Sequence, residues 1–259
     1  MIEQALYLPH PDEEYEIDPR RSNGELPIPP PHLMEYEEPP DQHLAMGKQD
    51  MGKMLSALEE HNFEWETCQR ALEFGCSNGK MLRWLADYAE GREMWGVDVQ
   101  ADKILWAAEN LSPPFHFATT TTVPHLPFPD QYFDLIFATS VFTHIGELHV
   151  AWFLELARIL NEGGLLYVTI HDEASARAAM DGGKLRRIGE IMEASESAEA
   201  LRSGDFGFVS IAPYGKAMLA QVMMGRNYVE HVTAPFLRLL GTAPEAYSNF
   251  QTGYIFTQA

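Results

Sequence analysis

The run Glu73-Phe74-Gly75-Cys76-Ser77-Asn78-Gly79, followed 19 residues later by Asp98, limits the fold of this chain more than any other feature. Arg70, Ala71, Leu72 and Phe74 read as a short buried strand ahead of the turn. Beyond it, Lys80 to Tyr88 has helical spacing, with Met81, Leu82, Leu85 and Tyr88 on one face. Met94-Trp95-Gly96-Val97 then reads as a second strand ending on Asp98. A carboxylate at the tip of a second parallel strand can accept hydrogen bonds from both hydroxyls of a ribose lying across the glycine turn. The pattern predicts a domain for an adenosine-containing ligand.

The rhythm continues along the chain. A helix is expected from Lys48 to about Phe63, and another from Ala101 to Leu111, stopped by Ser112-Pro113-Pro114. Phe115 to Ala118 is a third strand, Phe133 to Thr139 a buried central one and Leu165 to Ile170 a fifth. Between the last two, Glu147 to Leu160 is helical and is expected to end on a left-handed cap in Asn161-Glu162-Gly163-Gly164. Strands alternating with helices in this way predict a parallel sheet with helices on both faces. Beyond Asp172, helices are expected at Ala174 to Met180, Leu185 to Leu201 and Lys216 to Met224, and a strand or extended loop at Phe206 to Ile211. Phe236 to Leu240 and Tyr254 to Thr257 read as two closing strands joined by a long turn.

Residues 1–45 stand apart. They hold nine of the 17 prolines and 11 acids against Arg20 and Arg21, the composition of an extended acidic arm with polyproline character. The expected division is an arm over 1–45 and a single domain over 46–259, within which 172–232 is a variable insertion on the acceptor side. The whole chain of 259 residues has 18 Lys and Arg against 38 Asp and Glu, a net charge of −20. Nucleic-acid binding needs a basic footprint, so neither DNA nor RNA is expected as a partner. No apolar run approaches the roughly 18 residues that cross a bilayer, so no membrane insertion is expected. The first residues lack the basic and apolar regions of a secretory signal. Cys68 and Cys76 form no disulfide framework, and a reducing cytoplasm is the expected compartment.

The dinucleotide fingerprint needs G-x-G-x-x-G, whereas the spacing here is Gly75-x-x-x-Gly79 with Glu73 ahead of it. A carboxylate there repels a pyrophosphate and suits the ammonium and sulfonium of S-adenosylmethionine. With those residues in view, the chain resembles the class I S-adenosylmethionine-dependent methyltransferases. Its turn, its second-strand acid, Leu126-Pro127-Phe128-Pro129-Asp130 running into Phe133-Asp134-Leu135-Ile136, and Ala157-Arg158-Ile159-Leu160-Asn161-Glu162-Gly163-Gly164 match that class in order. Ser140-Val141-Phe142-Thr143-His144 is similar to a segment of a bacterial, type 11/12-like subgroup. The resemblance implies an α/β, Rossmann-like, doubly wound and mostly parallel seven-stranded sheet with a C-terminal antiparallel hairpin. The chain departs from the class at Ser77, where glycine is usual; serine fits if the backbone there avoids the left-handed region.

The resemblance also implies a set of cofactor contacts. Glu73 takes the aminoacyl end, Gly75, Cys76, Ser77 and Gly79 form the turn, Asp98 and Val99 meet the ribose, Thr119 and Thr120 lie beside adenine, and Ser140 forms the methyl-facing wall. S-adenosylhomocysteine would be the product. His144 and His171 follow the fourth and fifth strands at the same edge and are candidates for the base that an alcohol acceptor requires. No metal is expected of His144, Glu147 and His149, because on a helix the third points away from the first two. The expected activity is methyl transfer to oxygen or nitrogen of a small molecule such as a sugar, glycan precursor or natural product. A protein side chain as acceptor and a binding protein without catalysis are the alternatives, and the oligomeric state is left open.

Overall fold

The computed structural model describes residues 26–34, 39–182, 186–211 and 220–259. Strands β1 (Arg70–Phe74), β2 (Glu93–Asp98), β3 (Phe115–Thr119), β4 (Phe133–Ala138) and β5 (Leu160–Ile170) pair in parallel. Strands β6 (Phe208–Ile211) and β7 (Gln221–Met224) form a separate antiparallel pair. The last two, β8 (Leu237–Tyr247) and β9 (Gln251–Gln258), complete the main sheet as antiparallel strands, in the order β3-β2-β1-β4-β5-β9-β8. This is the doubly wound, seven-stranded arrangement. The order reverses between β1 and β4, which opens a crevice at the carboxyl ends of the strands.

Strand β4 shows why the middle of the sheet is an unbroken apolar run. Leu135 and Phe137 pack into one core and Ile136 and Ala138 into the other, so neither face is left for water. Helices α1 (Pro40–Glu59) and α2 (Ala101–Leu111) cover the first face through Met51, Met54, Leu58, Ile104 and Leu111. Helix α3 (His149–Ile159) covers the second through Trp152, Phe153 and Leu156, with Phe153 stacked on Phe142 at 4.1 Å.

Several boundaries differ from expectation. Helix α1 begins at Pro40, inside the stretch read as an arm, with proline in the first turn where its missing N–H costs nothing. Residues 26–34 also lie on the domain, with Leu26, Leu33 and Met34 buried. Leu82–Tyr88 is a 3-10 helix whose first N–H is given to Glu73 Oε2 at 2.9 Å. Helix α3 passes straight into β5 through an extended Leu160, so the left-handed Gly163 shapes the irregular start of that strand instead of capping the helix.

Beyond Asp172, helix α4 (Glu173–Met180) is N-capped by the Asp172 side chain. The long helix expected next is broken into α5 (Arg186–Glu193) and α6 (Ala198–Ser203) at a serine-containing turn, and Leu185 lies outside the described residues. The helix expected over Lys216 to Met224 is instead strand β7 from Gln221 onward, and its first residues, 216–219, also lie outside the described set. Helix α7 (Arg226–Thr233) follows. The closing strands are longer than expected and their turn is short. Among the described residues, no helix is long and apolar enough to cross a membrane.

Arg158 pins the proline loop that leads into β4. Its Nη1 donates to Phe128 O (2.9 Å), its Nη2 to Leu126 O (3.1 Å) and to Glu155 Oε1 (2.7 Å), while Leu126 N–H also donates to Glu155 Oε1 (2.6 Å). Arg158→Ala strands two carbonyls and a nearly buried carboxylate. A loss of about 2–4 kcal/mol in urea unfolding is expected, with the slope of the transition unchanged.

Candidate functional site

The first half of the site is the glycine turn. Gly75 N–H and Cys76 N–H both donate to Val97 O (2.8 and 3.1 Å), folding the turn back over β2. Asp98, 7% exposed, accepts Ser77 N–H on Oδ2 and Gln100 N–H on Oδ1, each at 2.8 Å. Ser77 does not avoid the left-handed region: its φ is +51°. That conformation costs a non-glycine residue roughly 1–2 kcal/mol. The Ser77 N–H bond to Asp98 and the donation of Lys103 Nζ to Ser77 Oγ (3.0 Å) offset it.

Gly75 and Gly79 are left-handed too, at φ +80° and +77°. A Cβ on Gly75 would lie 2.2 Å from Val141 Cγ2, and one on Gly79 2.6 Å from Leu111 Cδ1. Their small size therefore serves the close packing of the loop after β4 and of α2. Burial, with Glu73 and Asp98 adding to it, raises the Cys76 thiol well above its ordinary value and keeps it protonated. Glu73 is buried against the first turn of the 3-10 helix.

Beyond Asp98 the surface changes character. Val99 is 48% exposed, an apolar side chain just beyond β2. Thr120 N–H donates to Asp98 O (2.8 Å), and its Oγ1 is buried without a hydrogen-bond partner. Thr119 is half-buried at the end of β3.

The second half lies after β4 and β5. Ser140 is also left-handed (φ +57°) and is held by a closed set of hydrogen bonds. Ser140 N–H donates to Thr169 Oγ1 (2.7 Å), Thr169 Oγ1 donates to Gln251 Oε1 (2.6 Å), and Gln251 Nε2 donates back to Ser140 Oγ (3.0 Å). His144 is exposed, and its Nδ1–H donates to Ala220 O at 2.9 Å. A carbonyl can only accept, so in the neutral ring the lone pair sits on Nε2.

His171 is different. It is 4% exposed, stacks on Phe250 at 5.3 Å, and has no hydrogen-bond partner on either ring nitrogen. The Val222 backbone approaches the ring without the geometry of a full hydrogen bond. Burial, reinforced by His144, lowers its pKa to about 3. A base must gain a proton near neutral pH, and burial opposes that here, so the geometry favours His144 over His171 for that role.

Strand β7 closes over this half. Val222 N–H donates to Thr143 O and Met224 N–H to His171 O, both at 2.9 Å. His149, which carried no role of its own in the sequence, ties α3 to the same insertion: it stacks on Phe208 at 4.4 Å and accepts from Tyr228 OH at 2.7 Å. Thr169, Phe250 and Gln251 were not anticipated either. No local spacing announces them, since Gln251 lies 111 positions from the serine it contacts. Among the described residues, no three His, Cys, Asp or Glu side chains converge to hold a metal.

Residues 72–168 match the family described as methyltransferase domain. A malonyl-[acyl-carrier protein] O-methyltransferase from Geobacter sulfurreducens is 29% identical over 148 residues, which is 54% of this chain and 54% of that protein. The chain thus spans about half the length of that curated relative. Solved structures share the fold at lower identity. A protein from Pyrococcus horikoshii superposes with a TM-score of 0.58 at 19% identity, covering 82% of this chain and 91% of that one. A SAM-dependent methyltransferase from Aquifex aeolicus gives 0.55 at 15% identity, covering 90% of this chain and 100% of that one.

Residues 72–168 thus match a methyltransferase domain, and the order of the strands is that of a doubly wound, Rossmann-like sheet. The residues present fit S-adenosylmethionine. Asp98 stands at the tip of β2 where ribose hydroxyls would lie, the Thr120 hydroxyl beside the end of that strand is buried without a partner, and Glu73 supplies the sign that a sulfonium needs.

His171 makes stability depend on pH. Its folded pKa of about 3 lies below the ordinary 6.5, so the unfolded chain binds the proton more readily. The stabilisation from a neutral His171 is complete above pH 6.5 and is lost as pH falls toward 3. Urea midpoints measured from pH 7 to 4 are expected to fall more steeply for the wild type than for His171→Gln.

Proposed function

We propose that the protein is an S-adenosylmethionine-dependent methyltransferase acting on oxygen or nitrogen of a small molecule. The observation that carries this reading is a single sheet edge that holds Asp98 and Thr120 on one side of the switch point and Ser140 and His144 on the other. When bound, S-adenosylmethionine supplies a methyl group already activated by its sulfonium. The protein's task is then to hold, orient and exclude water. Asp98 takes the ribose, Val99, Thr119 and Thr120 flank the adenine, and Glu73, the turn from Gly75 to Gly79 and Ser140 surround the amino-acid end.

His144 Nε2 removes the proton of a hydroxyl acceptor, and the Nδ1–H bond to Ala220 O orients the ring and supports the cation that forms. His171 forms a neutral polar wall beside it. The insertion over 172–232 supplies the acceptor side through β7 and Ala220. In this reading the protein acts in the cytoplasm on sugars, glycan precursors or natural products, and its net charge of −20 argues against a nucleic-acid partner.

A second reading rests on the Geobacter relative, whose name specifies a malonyl group on a carrier protein. A malonyl thioester presents a carboxylate, which is ionised at neutral pH and needs no base. Calorimetric titration of S-adenosylmethionine should show binding that Asp98→Ala weakens by about 1–3 kcal/mol. Absence of binding by folded wild type would sink the enzyme reading. In an acceptor screen, His144→Ala is expected to lower kcat about 10²–10⁴-fold for a hydroxyl acceptor and to leave a carboxylate acceptor nearly unaffected.

A further inference from the structure

We propose that Gln251 is a positioning residue that turns Ser140 into a hydrogen-bond donor toward the carboxylate of the cofactor. The inference rests on the cofactor reading above and adds to it a residue from the C-terminal hairpin.

The argument is one of direction around the closed set of bonds. Ser140 N–H must donate, so Thr169 Oγ1 accepts and its own hydrogen is left to donate. The Thr169–Gln251 contact of 2.6 Å has the length of an O–H···O bond, and the Gln251–Ser140 contact of 3.0 Å that of an N–H···O bond. The amide is thereby oriented with Oε1 on threonine and Nε2 on serine. Ser140 Oγ accepts from Nε2, and its hydrogen is free to point elsewhere. The other oxygen near it, Thr143 Oγ1, lies 3.4 Å away, beyond the range of a good O–H···O bond.

Burial fixes the frame. Thr169, Thr143 and Gln251 are 0%, 0% and 2% exposed, while Ser140 is half-buried at the strand edge. The next residue, Val141, packs directly on Gly75, so Ser140 stands against the turn that surrounds the cofactor's amino-acid end. Of the two charged groups at that end, the ammonium is itself a donor. The carboxylate accepts, and it is the group that a serine O–H can serve.

The test is a double-mutant cycle read by calorimetry with two probes. S-adenosylhomocysteine carries the amino-acid end, and 5′-methylthioadenosine keeps the nucleoside without it. Gln251→Glu offers only acceptors, so it draws the Ser140 hydrogen to itself. Ser140→Ala and Gln251→Glu are each expected to weaken S-adenosylhomocysteine by about tenfold and to leave 5′-methylthioadenosine unchanged. The double variant should bind no more weakly than either single one.

Gln251→Met, of similar length and apolar, is the second route if the buried glutamate prevents folding. It should weaken S-adenosylhomocysteine less than Ser140→Ala does and add nothing to it. Additive losses, equal losses with both probes, or no loss in either single variant would overturn the role of Gln251. Failure of the wild type to bind S-adenosylhomocysteine would instead overturn the cofactor reading beneath it. Thermal midpoints of all variants show that each is folded at the titration temperature.

Discussion

The carboxylate of Asp98 is the interaction on which the rest of the site depends. One oxygen holds the backbone of the glycine turn and the other holds the residue that opens α2, so two crossover connections meet on one side chain. The turn it secures contains three left-handed residues, one of them a serine. Strain of that kind persists only where neighbouring bonds over-determine the conformation. Here the acid that would read a ribose is also the acid that keeps the loop in the shape a ribose requires. Recognition and local stability are therefore coupled in one group.

The opposite side of the switch point is built on different chemistry. It has hydroxyls, an amide and two imidazoles, with β7 laid across them. The acid-bearing side suits the cationic cofactor, and the neutral side suits an acceptor that must lose a proton or arrive without one. The two histidines divide along the same line. One keeps a ring nitrogen at the surface, and the other is buried without partners.

Much of the fold was legible because residues 70–170 follow simple periodicities. The apolar run of β4 and the helical face of α2 each fell within a residue or so of their observed ends. The failures share a cause. Val222-Met223-Met224 is buried on all sides, so it lacks the alternation that marks a strand and reads as the end of a helix. The conformation of Ser77 depends on Asp98, which reaches it from another strand. The spatial need for Gly75 comes from Val141, far along the chain. Asp98 and Ser140 could be placed from motif spacing, whereas Thr169 and Gln251 enter the site only through the pairing of β5 with β9.

That pairing has a consequence for how the molecule is made. Strand β9 lies between β5 and β8, although β8 precedes it in the chain. During synthesis, β5 emerges long before either of its later neighbours and must present a bare row of amides and carbonyls, flanked by Leu166, Val168 and Ile170. When β8 appears, β9, the strand it pairs with among the described residues, is still unmade. The edge is sealed when the chain around Gln251 to Gln258 arrives and both ladders close together. The nascent protein is thus most open to mispairing with a second chain in the interval between its fifth strand and its ninth.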